Sequence, residues 1–195
     1  MVWKLKRGCG LTICSGNLPY SSVVWWPSQL AMNCGPIAGW EGHHTTELYG
    51  KYPLQMVSPH PRFSFHTMGD SKGTWLNEID EHRILHEDGH RYWIMRLNSA
   101  DAKARGIAEG DLIRAYNDRG AVILSAQLTE RVAPGTVHSY ESCADYLPQG
   151  EPGESTDIAG CVNILTNMRT ITPTSQAMSN NSCLIQVEKW EGEAS

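Results

Sequence analysis

The run Ser58-Pro59-His60-Pro61-Arg62-Phe63-Ser64-Phe65-His66-Thr67 gathers two imidazoles, a guanidinium and several hydroxyls into one short stretch. Asn98-Ser99-Ala100-Asp101-Ala102 and Asn163-Ile164-Leu165-Thr166 add further short polar side chains. Groups of these types hydrogen-bond phosphates, amides and purine edges, but none of the clusters pairs an activated nucleophile with a base. Ser139 and Ser142 lack a sequence context that would activate them. Cys143, near His138, has no neighbour in sequence that would lower its pKa. Neither a G-x-G-x-x-G fingerprint nor a P-loop occurs. This chemistry suits holding a large polar ligand, with the bond-breaking done elsewhere.

Each cluster also has a structural reading. Phe63 and Phe65 alternate as on an edge strand, with polar neighbours turned to solvent. Asn98 and Asp101 flank a helix start, where either can cap the backbone. Asn163 opens a short helical stretch and can cap that in turn. His82-x3-His86-x3-His90 has a spacing that aligns on a helix, but Asp88-Gly89 breaks one there. No carboxylate or cysteine completes a metal set with these histidines or with His43-His44, so they read as solvated surface residues.

The elements that must position these groups are mostly strands. Leu54–Ser58 and Arg91–Leu97 read as strands, each leading into a polar cluster. Ser99 is expected to cap a helix over Ala100–Arg105, with Asp101 in its first turn and Gly106 beyond its end. After a turn at Gly110-Asp111, Leu112–Tyr116 and Ala121–Thr129 flank the hairpin signal Asn117-Asp118-Arg119-Gly120. Pro134-Gly135 turns into a strand over Thr136–Tyr140. A loop rich in Pro, Gly and Glu covers 147–160, and Leu184–Val187 is the last strand. Short strands separated by Gly and Pro turns, with few helices, predict a mainly β fold closed as a compact barrel.

Composition bounds the rest. With 195 residues the chain has room for a hydrophobic core, and its net charge of −5 offers no reason to invoke nucleic acid or an anionic membrane. No run reaches the length of apolar residues that spans a bilayer. The six cysteines form no C-x-x-C pair, and they are expected to be reduced thiols in a cytoplasmic protein. The first 40 residues hold four of the seven tryptophans and no acidic residue, and Pro19, Pro27 and Pro36 interrupt them. Residues 1–40 are therefore expected to be an extension with little structure of its own, and 41–195 the domain proper.

Taken in order, these segments resemble the C-terminal molybdopterin-dinucleotide-binding domain of the dimethyl-sulfoxide-reductase superfamily. The resemblance rests on the strand Tyr52–Ser58, His60-Pro61…His66-Thr67, Asn98–Ala102, Arg105–Ile113, Asn117–Gly120, Pro134-Gly135, Asn163–Thr166 and the ending Val187–Trp190. Glu41–His44, Tyr49–Gln55 and Thr136–Ser142 look most like the transhydroxylase branch. The resemblance implies a double-psi β-barrel gripping a molybdenum bis(molybdopterin guanine dinucleotide) cofactor. By position, His60, Ser64, His66 and Thr67 would face pterin and phosphates. Asn98 and Asp101 would hold a guanine, and Asn163 and Asn181 would contact pterin or phosphate. It also implies upstream catalytic domains, which carry the molybdenum ligand, and an associated iron–sulfur subunit. A chain lacking those domains is expected to bind cofactor and catalyse nothing.

Overall fold

The structure is a computed structural model that describes residues 41–42, 45–62, 78–141, 143, 145–168, 170–172, 175–178 and 183–192. Its chain order is α1 (Thr46–Lys51), β1 (Leu54–Val57), β2 (Arg83–Leu85), β3 (Arg91–Leu97), α2 (Ser99–Ala104), β4 (Leu112–Asn117), β5 (Gly120–Leu128), β6 (Thr136–His138), β7 (Pro148–Gln149), β8 (Thr156–Asp157), a 3₁₀ turn (Val162–Leu165), β9 (Thr170–Thr172), β10 (Ser175–Met178) and β11 (Cys183–Lys189).

Six strands close on themselves in the cyclic order β3-β6-β1-β11-β4-β5, because β3 pairs with both β6 and β5. Closure removes the exposed edges that an open sheet of this size would present. Two pairings are parallel, β1 with β6 and β3 with β5, and the rest of the ring is antiparallel. This is the double-psi β-barrel of a mainly β domain. Strict alternation along β4 places Ile113, Ala115 and Asn117 inward. Along β5 the residues from Ala121 to Ala126 are all buried. β8 extends the sheet beside the first residues of that strand, and the 3₁₀ turn packs on it as well. Leu54, Met56, Trp93, Met95, Leu124 and Ile185 fill the interior, so the barrel is a packed core.

The register sorts loops to two ends. One end carries the β4–β5 turn together with the C-terminal ends of β1 and β6; this is the hairpin end. The opposite end carries α2, the C-terminal end of β5 and the start of β6; this is the helix end.

The six expected strands all appear, with shifts of at most two residues at their ends. The helix differs in one informative respect. Its cap is Asn98, whose Oδ1 accepts from Ala100 N at 2.9 Å, and Ser99 is already the first helical residue. The three histidines of the His82–His90 segment are not solvated surface residues: His82 is buried and His86 and His90 are half-buried. The segment forms the β2–β3 hairpin, in which His86 Nε2 lies 3.0 Å from Ser125 Oγ and His90 Nε2 lies 3.0 Å from Ile158 O. The pull of aromatic packing explains this: Trp93 and Tyr140 flank His82, and Tyr92 is flanked by His86 and His90.

Candidate functional site

At the hairpin end, β1 runs out through buried Ser58 to His60, and β6 runs out through Ser139 to Glu141. The parallel pairing continues past both strands, since Ser139 N donates to Val57 O and Glu141 N to Pro59 O, each at 3.1 Å. Glu141 is thereby brought to His60, with Nδ1 and Oε1 2.5 Å apart. Two buried anchors hold the β6 exit in place. Ser139 Oγ donates to Ile94 O at 2.9 Å, and Trp93 Nε1 donates to Tyr140 O at 2.8 Å.

The hairpin tip docks the 3₁₀ turn onto the same end. Buried Asn117 donates from Nδ2 to Leu165 O (2.8 Å) and Leu184 O (3.1 Å), and accepts from Arg119 N at 2.9 Å. Arg119 adds a bond from Nε to Leu165 O and a two-pronged pair onto Glu41, at 2.8 and 2.9 Å. Glu41 is only 2% exposed and also accepts from Leu184 N, so every oxygen of this buried carboxylate is engaged. Asn163 is left exposed on the turn, while Thr166 Oγ1 donates to its carbonyl at 2.7 Å. A concavity of ≈ 650 Å³ lies here between Leu48, Arg119, Ile164, Thr166 and Met168. A smaller one of about 180 Å³ lies beside it, lined by Arg114, Arg119, Gly120 and Ser155.

The helix end is built differently. Asn98 is 4% exposed and donates to Glu130 Oε2 (3.2 Å) and Val132 O (2.9 Å) while capping α2. Asp101 Oδ2 accepts from Gly135 N at 2.7 Å, and its Oδ1 lies 3.8 Å from Arg105 Nη1. Both side chains tie α2 to the loops around it.

The outer wall carries a third feature. Gln127, Arg96 and His138 stand in register on three adjacent strands, with Tyr140 beyond them. Arg96 donates to Gln127 Oε1 (2.7 Å), to His138 Nδ1 (3.3 Å) and to Glu81 O (3.1 Å), with its guanidinium 5.0 Å from the Tyr140 ring centre. They line an open cleft of about 600 Å³. Burial first, and then the Arg96 charge, hold the His138 pKa below its ordinary value. Cys143 is no nucleophile: burial pushes its thiol up to about 12, and Sγ lies 3.1 Å from Ala159 O.

Among the expected ligand contacts, the fold brings His60 and Asn163 to one end and Asn98 with Asp101 to the other. Ser64, His66, Thr67 and Asn181 lie outside the described residues. Sequence reading missed Glu141 and the Glu41–Arg119 pair. Each depends on a pairing between segments some 80 residues apart, and only the repeated acidic and basic residue types hinted at it. Among the described residues, no group of three or more His, Cys, Asp or Glu is placed to hold a metal.

Comparison with known proteins agrees with this architecture. The family profile described as "Molydopterin dinucleotide binding domain" matches residues 54–184. Over 157 residues, 80% of the chain, the sequence is 58% identical to the pyrogallol hydroxytransferase large subunit of Pelobacter acidigallici. It is 34% identical over 143 residues, 73% of the chain, to a dimethyl sulfoxide/trimethylamine N-oxide reductase of Cereibacter sphaeroides. The chain spans only 18% and 16% of the lengths of these two relatives. Acetylene hydratase from Pelobacter acetylenicus shares the fold, with a TM-score of 0.51 at 15% identity over 77% of this chain and 20% of that one. With its ordered motifs carried on a closed six-stranded barrel, the chain belongs to the molydopterin dinucleotide binding domain family of the dimethyl-sulfoxide-reductase superfamily.

Proposed function

We propose that this chain is the C-terminal cofactor-gripping part of a larger cytoplasmic molybdenum oxidoreductase or transhydroxylase of anaerobic metabolism, and that the dinucleotide is the guanine form in a bis(molybdopterin guanine dinucleotide) centre. The observation that carries this reading is the family match over 54–184, on a barrel whose hairpin end carries both His60 and Asn163. The group fits the residues there. The His60 imidazole beside its carboxylate and the exposed Asn163 carboxamide suit a ligand dense in hydrogen-bonding groups, and at the same end two concavities lined by Arg119, Thr166 and Ser155 offer further donors.

When bound, the molybdenum centre supplies oxygen-atom or hydroxyl transfer. The residues of this chain bind and orient: His60 and Asn163 meet the pterin end, and the packed core behind them keeps those contacts rigid. In the relatives the remaining length would supply the metal ligand and substrate pocket, together with an iron–sulfur subunit as electron partner. Asn98 and Asp101 are proposed to reach the guanine. A purely structural role is the competing reading for that pair, favoured by their bonds to Ala100, Val132 and Gly135.

An anaerobic titration of the isotope-labelled chain with molybdopterin guanine dinucleotide, followed by amide NMR, tests both. Shifts near 58–67 and 163 are expected, with a second set near 98–101 if the guanine lies at the helix end. A well-dispersed spectrum that does not move would defeat the cofactor reading. Movement at the hairpin end alone, with unchanged affinity in a folded Asn98→Ala/Asp101→Ala variant, would defeat the guanine assignment.

A further inference from the structure

Glu141 is assigned no direct contact with the cofactor, yet its carboxylate lies 2.5 Å from His60 Nδ1. Its own placement is over-determined. The backbone N–H of Glu141 is bonded to Pro59 O, and the preceding Tyr140 carbonyl is held by the buried Trp93 indole. The Glu141 side chain is 18% exposed against 62% for His60, so the carboxylate is the fixed member and the imidazole the presented one.

A carboxylate only accepts hydrogen bonds, so the ring nitrogen facing it must carry a proton. In a neutral imidazole the other nitrogen then bears the lone pair. We infer that Glu141 is the positioning residue for His60: it fixes the Nδ1–H tautomer, so that Nε2 acts as an acceptor for a ring N–H or amino group of the pterin rather than as a donor to phosphate. This rests on the proposed reading of the hairpin end as the cofactor face, and it assigns which part of the cofactor His60 recognises.

The same barrel contains an internal contrast. His138 Nδ1 accepts from the Arg96 guanidinium, which puts the proton of its neutral ring on Nε2. Two imidazoles at the exits of neighbouring strands are therefore set in opposite tautomers by opposite charges.

The test uses the full chain with ¹⁵N-labelled histidines and long-range ¹H–¹⁵N spectra at about pH 8, above the ordinary imidazole range. His60 is assigned by His60→Gln. His60 is expected to be protonated on Nδ1 and His138 on Nε2. Glu141→Gln, which can offer either a donor or an acceptor, should release His60 toward a tautomer mixture, and Glu141→Asp should restore part of the Nδ1–H population. Protonation of His60 on Nε2 in the unmodified chain, or an unchanged tautomer in Glu141→Gln, overturns the inference.

Two probes then separate the recognised groups. Glu141→Gln should weaken 7,8-dihydropterin binding, followed through the His60 resonances, by about fivefold to tenfold, the worth of roughly one hydrogen bond, and leave inorganic pyrophosphate binding unchanged. Equal weakening of both probes, or of neither, refutes the pterin assignment. If dihydropterin fails to bind the unmodified chain while the tautomers are as expected, the hairpin end is not the pterin face. That outcome removes the cofactor reading and the acceptor role together, leaving only the tautomer lock.

Discussion

Single residues at the helix end carry more structure than their exposure suggests. Asn98 makes three hydrogen bonds and Asp101 ties Gly135 to α2. Asn98→Ala should therefore lower unfolding free energy by about 1–2 kcal/mol, as loss of a cap does, measured by urea denaturation of the intact chain. Gly160 is more severe. Its φ is +98°, and a Cβ there would lie 2.2 Å from Trp93 Cβ. Gly160→Ala combines a strained backbone with overpacking against a rigid indole, and a loss of about 3 kcal/mol or more is expected in the same assay.

Histidine titration gives a residue-scale pH dependence. Burial and Arg96 depress His138, while burial is the leading cause for His82. In the unfolded chain both groups take up protons as pH falls through about 6.5, while the folded protein resists, so the unfolded state binds more protons. The stabilisation is fully present above that value and is lost as pH falls toward the folded pKa values. The urea midpoint should drop between about pH 7.5 and 5.5, and His138→Gln should flatten that drop. A midpoint equally steep in the variant would show that His138 does not contribute.

At the scale of elements, the Glu41–Arg119 pair joins the segment ahead of α1 to the β4–β5 tip and to β11. Removing one member leaves a charge or an N–H without its partner. Glu41→Ala should cost about 2 kcal/mol, below the range for fully buried pairs because the Arg119 side chain is 28% exposed. A double-mutant cycle with Arg119→Ala reads the coupling directly. The tip itself was legible: Asn117-Asp118-Arg119-Gly120 between two apolar runs specifies a two-residue turn, and Asn117 closes it by accepting from Arg119 N. The β2–β3 hairpin was not, because His82, His86 and His90 are polar by type, and His82 becomes buried and the other two half-buried only against Trp93, Tyr92 and Tyr140.

At the scale of the whole molecule, the closed ring makes β3, β4, β5 and β11 mutually dependent, since each strand finds its hydrogen bonds only when its neighbours are in place. Native-state hydrogen exchange should show these strands opening together at the global unfolding free energy, with the two-residue strands β7 and β8, which join the barrel through the β8 pairing at the start of β5, exchanging faster. Independent exchange of β4–β5 would contradict a cooperative barrel.

The order of apolar runs, Gly and Pro turns and polar clusters determined by itself that the chain is mainly β and where most strands lie, because those signals are local and survive without partners, and the resemblance carried by its ordered motifs pointed to the family. Tertiary structure decided which cluster meets which. The parallel pairing of β1 with β6 delivers Glu141 to His60, and closure of the ring sends Asn98 and Asp101 to the opposite end from His60 and Asn163. Pairings between distant segments are set by the register of a closed sheet, and no spacing within one segment encodes that register.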